Sequence, residues 1–267
     1  MIKSYKSLSA MARAYKDLGC NSRYGSARDS WLGGETESET LKFASFGNPT
    51  LVPAAEKQME KLDAVIETQK LIWESAPVGA YYSVPDVIVG RPTCMRKKTF
   101  VADESAPIAI YVSTVCSRGI SAETLAKRGT TILALVMALS RIRPTSLHIM
   151  SYVDGPNDRS GETVVTAQIN TSPLDLASAC YGLTSAGFTR LITYELMHKL
   201  NGAQGFWPRD YRYGGPQPYL DGLKHKLNLD PKKTLMIAPA ELHDELLANP
   251  IDWINQQIKL FTQENED

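Results

Sequence analysis

The chain has 267 residues, of which 43% are hydrophobic, 22% are charged and 8% are aromatic. This composition supports a sizeable buried core and excludes an intrinsically disordered chain. The 29 Lys and Arg residues balance the 29 Asp and Glu residues, which excludes a uniformly basic nucleic-acid binder of the histone type. A function based on charge must therefore depend on local patches.

Cysteine spacing and hydropathy bear on the cellular compartment. The four cysteines lie far apart without a C-x-x-C pair, which argues against a zinc knuckle or a disulfide scaffold and favours a reducing cytoplasm. Residues 1–16 contain no apolar segment of signal-peptide length, and the longest apolar run, 132–139, is too short to span a bilayer. We expect a cytoplasmic protein without a membrane partner.

The first hundred residues carry mainly helical signals. Apolar residues at helical spacing predict a helix within 6–18. Thr36 and Glu39 form a capping-box pattern, which predicts the start of a helix that stops at Gly47. A further apolar seam over 52–66 predicts a third helix.

Alternating strands and helices follow from residue 107. The pattern predicts, in chain order, a strand at 107–115, a helix between Ser121 and Pro144, a strand at 146–153, an antiparallel return strand at 163–169, two helices, a strand at 234–237 and two C-terminal helices. This order indicates an α/β fold with a mostly parallel sheet flanked by helices over residues 101–267. Residues 1–100 are expected to form an N-terminal helical region and a linker.

The order of elements in the α/β part resembles the von Willebrand factor A domain. That family holds a metal ion at the end of its first strand through an Asp-x-Ser-x-Ser motif, whose hard oxygen ligands suit magnesium. The corresponding segment here, 112–117, has no aspartate. We therefore expect no metal and no cofactor, and the resemblance implies a fold rather than an activity.

Two local motifs resemble a family of uncharacterised phage proteins. They are Trp31-Leu-Gly-Gly34 with the helix from Glu39 to Gly47, and Gly90-Arg-Pro-Thr-Cys-Met95, and the resemblance covers roughly residues 30–140. It implies a phage protein in the cytoplasm of an infected host cell. By type and size, the chain is similar to the single-stranded-DNA-binding factors with which podophages recruit a phage RNA polymerase.

Catalytic signatures are sparse in this sequence. There is no phosphate-binding P-loop, no dinucleotide-binding G-x-G-x-x-G motif and no G-x-S-x-G nucleophile elbow. Glu195 and His198 share one helical face, but a metal centre of that type needs further carboxylates. We predict no catalytic residues, and an enzyme built around these two residues is the third hypothesis.

The segment 205–219 is the most informative part of the sequence. It places five aromatic residues among arginine, glycine and proline, in a pattern typical of a long loop. Bases of single-stranded nucleic acid stack on exposed aromatic rings, and arginine neutralises phosphates. The alternative is that Phe206, Trp207 and Tyr219 pack against the sheet edge and that only their neighbours are exposed. The DNA-binding residues predicted here are Trp207, Arg209, Tyr211, Arg212 and Tyr213.

A second basic cluster is predicted to bind DNA phosphates from a loop before the first strand of the α/β domain. It comprises Arg91, Arg96, Lys97 and Lys98. Adjacent cations of this kind can clamp a nucleic-acid backbone, and the alternative is ordinary linker charge that keeps the chain in solution.

The two ends of the chain carry opposite charge. Residues 1–28 contain six Lys or Arg against one Asp, whereas residues 240–267 contain seven Asp or Glu against one Lys. The acidic end resembles the tails through which single-stranded-DNA-binding proteins contact replication or transcription partners. The alternative is a frayed helix end in solvent. The predicted partner-binding residues are Phe261, Glu264, Glu266 and Asp267.

The leading hypothesis is a non-enzymatic protein that binds single-stranded DNA and recruits a phage RNA polymerase or a replication protein. The alternative is a protein-interaction module that uses the top of the sheet, around residues 113–119, without binding nucleic acid.

Overall fold

The computed structural model describes residues 1–20, 32–63, 71–100, 107–116, 120–153, 163–201, 216–241 and 245–262. The strands are β1 (Ile2–Tyr5), β2 (Leu71–Ala76), β3 (Tyr81–Tyr82), β4 (Met95–Phe100), β5 (Ile108–Ser113), β6 (Thr145–Val153), β7 (Thr163–Ile169) and β8 (Thr234–Ile237). The helices are α1 (Leu8–Asp17), α2 (Glu37–Phe46), α3 (Val52–Asp63), α4 (Val84–Ile88), α5 (Ala122–Ile142), α6 (Leu176–Thr184), α7 (Tyr194–Asn201), α8 (Pro216–Lys226), α9 (Glu245–Ala248) and α10 (Pro250–Thr262). A π-helical segment, Phe188–Thr193, leads into α7.

A five-stranded, mostly parallel sheet flanked by helices forms the centre of the molecule. Its strand order is β1-β7-β6-β5-β8. β5 runs parallel to both β6 and β8, β7 runs antiparallel to β6, and β1 runs parallel to β7. The α/β fold class is therefore confirmed, together with the antiparallel return strand. Among the helices that the structure describes, none is long and apolar enough to cross a bilayer.

The main core forms where β5 packs beneath α5. Ile110 of β5 lies between Leu147 of β6 and Leu235 of β8 in the strand register, and it is fully buried. From α5, Ile132 and Leu133 are also fully buried. Burying an aliphatic side chain of this size stabilises a fold by about 1.5–3 kcal/mol. This core holds the carboxyl ends of β5 and β8 in fixed positions.

Local signals fix the ends of α2. The Thr36 hydroxyl accepts a hydrogen bond from the Glu39 backbone N–H at 3.2 Å, and the Glu39 carboxylate accepts one from the Thr36 N–H at 2.9 Å. The predicted capping box is therefore confirmed. Gly47 ends the helix at φ +74°, and a Cβ there would lie 2.7 Å from the Cβ of Ala177. Glycine is needed at this position for both its conformation and its size.

The N-terminal region contains the predicted helices α1, α2 and α3, and its first residues also join the central sheet. β1 pairs with β7 from Ile2 opposite Val164. The next element, α1, buries Leu8, Met11 and Tyr15 in the main core. The first two elements therefore pack with the α/β core.

A second sheet occupies the region where the sequence predicts a linker loop. It is antiparallel, with strand order β2-β4-β3. Arg96, Lys97 and Lys98 lie in β4, so the prediction of a loop for this basic cluster is wrong. Charged residues have low intrinsic strand preference, and here pairing along the whole of β2 outweighs that preference.

Candidate functional site

Large apolar side chains are exposed in the segment between residues 78 and 89. Tyr82 is 68% exposed and Ile88 is 78% exposed. Exposed apolar surface of this extent is typical of a binding surface. We call this surface the 78–89 patch, and its exposed apolar members are Val78, Tyr81, Tyr82, Val84, Val87, Ile88 and Val89.

The pairing of β3 with β4 positions the two tyrosines. Tyr81 lies opposite Arg96 in the antiparallel register, and Tyr82 lies opposite Met95. The Ala80 N–H donates to the Arg96 carbonyl at 3.0 Å, which fixes this register. A Cβ at Gly79 would lie 2.4 Å from the same carbonyl oxygen, so glycine permits the close approach of the two chains.

Directly opposed residues of an antiparallel pair share one face of the sheet, with Cβ atoms about 4.5–5.5 Å apart. Tyr81 therefore presents its ring on the same face as the Arg96 guanidinium. Tyr81 is 63% exposed and the Arg96 side chain is 39% exposed. This arrangement combines an aromatic surface with a positive charge beside it.

A buried carboxylate organises the arginines. Asp86 of α4 accepts a hydrogen bond from Arg91 at 3.1 Å and another from Arg96 at 3.5 Å. A hydrogen bond from Ser83, together with the charges of the two guanidinium groups, holds the pKa of Asp86 below its usual range despite its burial. Two cations around one carboxylate leave this part of the surface with excess positive charge.

The basic residues of β4 do not form one continuous row. Arg96 and Lys97 are consecutive in a strand, so their side chains point to opposite faces. Lys97 is exposed and lies opposite Glu74 in the register, whereas Lys98 lies opposite Trp73. A clamp of three adjacent cations is therefore not what the structure shows. Arg96 instead shares Asp86 with Arg91 and lies opposite Tyr81.

The remaining predicted site residues fall into two groups. Phe261 is 6% exposed in α10, and its carbonyl accepts a hydrogen bond from Arg143 of α5 at 3.3 Å. Its ring completes the core, so the side chain is not presented to a partner. The others lie outside the described residues: Trp207, Arg209, Tyr211, Arg212, Tyr213, Glu264, Glu266 and Asp267.

The residues proposed for a catalytic alternative lie in the fold interior. Glu195 is 9% exposed and His198 is half-buried, both on α7. Within the parts of the chain that the structure describes, no three His, Cys, Asp or Glu side chains group in a way that could hold a metal ion.

Tyr81 and Tyr82 are the members of the site that sequence patterns did not reveal. Paired tyrosines followed by apolar residues between Pro77 and Gly90 carry neither a helical nor a strand period over any useful length. The available signal was the clustering of apolar side chains next to the basic residues that follow Gly90.

Comparison with known proteins places the whole of this surface within one family. A family model described as a domain of unknown function, DUF7192, matches residues 1–241. The chain belongs to the DUF7192 family. The match spans both sheets and the 78–89 patch. No curated protein and no solved structure matches the chain.

Proposed function

We propose that this DUF7192 protein is a non-enzymatic single-stranded-DNA-binding protein. The proposed contact surface wraps around β3 at the edge of the second sheet, with Tyr81 and Arg96 on one face and Tyr82 and Lys97 on the other. Together with Arg91, which shares Asp86 with Arg96, we call these residues the tyrosine platform. The observation that carries the proposal is the exposed Tyr81 ring beside the Arg96 guanidinium.

The chemistry of the tyrosine platform suits unpaired bases. A base that stacks on an exposed aromatic ring contributes about 1–3 kcal/mol, whatever the base. A neighbouring guanidinium neutralises the phosphate or stacks in turn. In a duplex the base faces already stack on one another and cannot reach the tyrosine rings. The platform should therefore bind a single strand more tightly than a double strand.

We further propose that the protein brings a polymerase or a replication protein to the bound DNA. The support is the apolar surface next to the platform. Its members there are between 49% and 78% exposed: Val84, Val87, Ile88 and Val89. Such residues contribute little to DNA binding and much to protein contacts. On this proposal the partner is a phage RNA polymerase or replication protein and the site of action is the cytoplasm of the infected cell.

The same apolar residues favour a second candidate function. If the whole 78–89 patch contacts protein, the chain is a protein-interaction module that binds no nucleic acid. Tyrosine and arginine are enriched in protein interfaces as well, so the platform fits this reading too.

Oligonucleotide binding separates the two functions. Fluorescence polarisation with labelled single- and double-stranded oligonucleotides is measured over a salt series, because phosphate contacts make the logarithm of affinity fall linearly with the logarithm of salt concentration. We expect preference for the single strand, with a slope of about −0.7 for each phosphate contacted. Absence of binding to both oligonucleotides would reject DNA binding and favour the protein-interaction module.

A further inference from the structure

A second feature lies at the carboxyl ends of the central parallel strands. β5 leads through α5 to β6 on one side, whereas β8 lies on the other side of β5. The strand order therefore reverses between β5 and β8. Just beyond both strands, the Ala240 N–H donates to the Val115 carbonyl at 3.1 Å. In open α/β sheets, ligands bind in the crevice at such a reversal point.

A small cavity with a mixed polar and apolar lining is found at this point. Its polar lining comes from Ser113 and Thr114 at the end of β5, from Arg128 of α5 and from Thr189 of the π-helical segment. Short π-helical segments are frequent at functional sites. The cavity has a volume of about 10 Å³, which admits a single water molecule or one oxygen atom of a larger group.

The Ser113 hydroxyl is the unexplained group in this cavity. Ser113 is 1% exposed, and its Oγ has no hydrogen-bond partner among the described residues. A buried hydroxyl without a partner costs about 1–3 kcal/mol. The neighbouring Thr114 hydroxyl differs, because it donates to the Met150 carbonyl at 3.3 Å and contacts the Ser151 hydroxyl. Ser113 therefore has a donor available for a ligand.

Arg128 sets the charge of the cavity. Its side chain is buried, at 5% exposure of the residue, and its Nη2 donates to the Ala238 carbonyl just beyond β8. Arginine stays protonated in proteins, so a fixed positive charge faces the cavity. This charge repels a metal cation and attracts an anion.

We propose that this cavity binds one oxygen of an oxyanion, a phosphate or a carboxylate, with Ser113 Oγ and the Arg128 guanidinium as donors. The proposal concerns a site on the central sheet, and it stands whether or not the tyrosine platform binds DNA.

Thermal unfolding of the full chain tests this site. Sodium phosphate and sodium acetate are each titrated against sodium chloride of equal ionic strength, since phosphate also stabilises proteins nonspecifically. We expect a saturable rise in Tm with at least one of them, of about 5 °C or more at 100 times the Kd. A saturable rise in Tm with phosphate identifies the ligand as a phosphate, and a rise with acetate identifies it as a carboxylate.

Three variants make the test specific. Ser113→Ala removes an unpartnered hydroxyl, so this variant should fold and should show no saturable rise in Tm. Arg128→Lys should show a smaller rise in Tm than the natural chain. Arg143→Lys is the matched control, because Arg143 is a buried arginine at the opposite end of α5, and it should keep the rise. No saturable rise in the natural chain, or an equal rise in Ser113→Ala, would overturn the proposal.

Discussion

Tyr81 and Arg96 face each other across the pairing of β3 with β4, and both side chains reach solvent. The pairing is held by the hydrogen bond from the Ala80 N–H to the Arg96 carbonyl, and Gly79 permits it. Asp86 fixes the guanidinium of Arg96 from the other side. The platform is thus positioned by backbone pairing and by one buried carboxylate.

Replacing the platform tyrosines should weaken binding to single-stranded DNA. Tyr81→Ala and Tyr82→Ala each remove one stacking surface, so each is expected to cost about 1–3 kcal/mol, or about 5- to 150-fold in Kd. Fluorescence polarisation with an unstructured oligonucleotide measures the change. The control is Phe46→Ala, because Phe46 is 81% exposed at the end of α2, outside the platform. Equal affinities for all three variants would argue against stacking.

The Asp86 carboxylate should stabilise the fold at neutral pH and not in acid. Its pKa is lowered in the folded state, so its contribution is present above the ordinary value of 3.8 and is lost as pH falls through the lowered pKa. Urea unfolding should show Asp86→Asn to be less stable than the natural chain at pH 7, with the difference shrinking towards about pH 3. Asp221→Asn, which removes the charge of an exposed carboxylate paired with Lys224, is the control and should change little. If the difference in free energy of unfolding between Asp86→Asn and the natural chain did not change with pH, the pKa of Asp86 would not be lowered by folding.

The Glu35 carboxyl should show the opposite dependence on pH. Burial raises its pKa above the ordinary value of 4.5, although hydrogen bonds from Tyr181, Thr40 and Ser185 act in the other direction. The neutral Glu35 carboxyl therefore contributes fully to the free energy of unfolding below about pH 4.5. This contribution is lost as pH rises through the raised pKa.

Glu35→Gln removes this titration. The free energy of unfolding of Glu35→Gln, measured relative to the natural chain in urea, should increase as pH rises from about 4 to about 8. Glu123→Gln is the control, since the hydrogen bond and charge of Lys127 lower the pKa of Glu123. Its relative free energy of unfolding should therefore not increase over this range. The same slope for both variants would show that burial of Glu35 does not control its titration.

Replacing Gly47 with alanine should destabilise the fold more than replacing Gly90. Gly47 has φ +74° and ψ 168°, a conformation almost confined to glycine, and Ala177 occupies the space beside it. Gly90 also has positive φ, at +70°, but nothing lies within 4 Å of its Cβ position. We expect Gly47→Ala to lower the free energy of unfolding by more than about 2 kcal/mol and Gly90→Ala by about 1 kcal/mol. Equal costs in urea unfolding would rule out the clash with Ala177.

The elements that the sequence predicts well are those with local signals. The capping box at Thr36, the N-cap at Ser121 and the stop at Gly47 are each determined by side chains within a few residues, and all three are confirmed. β5, β6 and β8 also follow from their apolar runs. Such signals suffice because the groups that satisfy them are neighbours in the chain.

The elements that the sequence does not reveal depend on distant partners. β1 has only two apolar residues, Ile2 and Tyr5, and a partner strand far along the chain, so its four residues carry no strand pattern of their own. The same holds for β3, whose two tyrosines become a site only when β4 pairs beside them. Pairing between separate segments decides both, and a single sequence does not encode that pairing locally.

Photochemical cross-linking can show whether unpaired bases stack on Tyr81 and Tyr82. A single-stranded oligonucleotide that contains 5-iododeoxyuridine is irradiated with the full chain, and the cross-linked residue is found by mass spectrometry. We expect a cross-link at Tyr81 or Tyr82, and an excess of single-stranded oligonucleotide without the iodinated base should compete it away more effectively than duplex. Cross-links confined to residues 206–219, or none at all, would contradict this expectation.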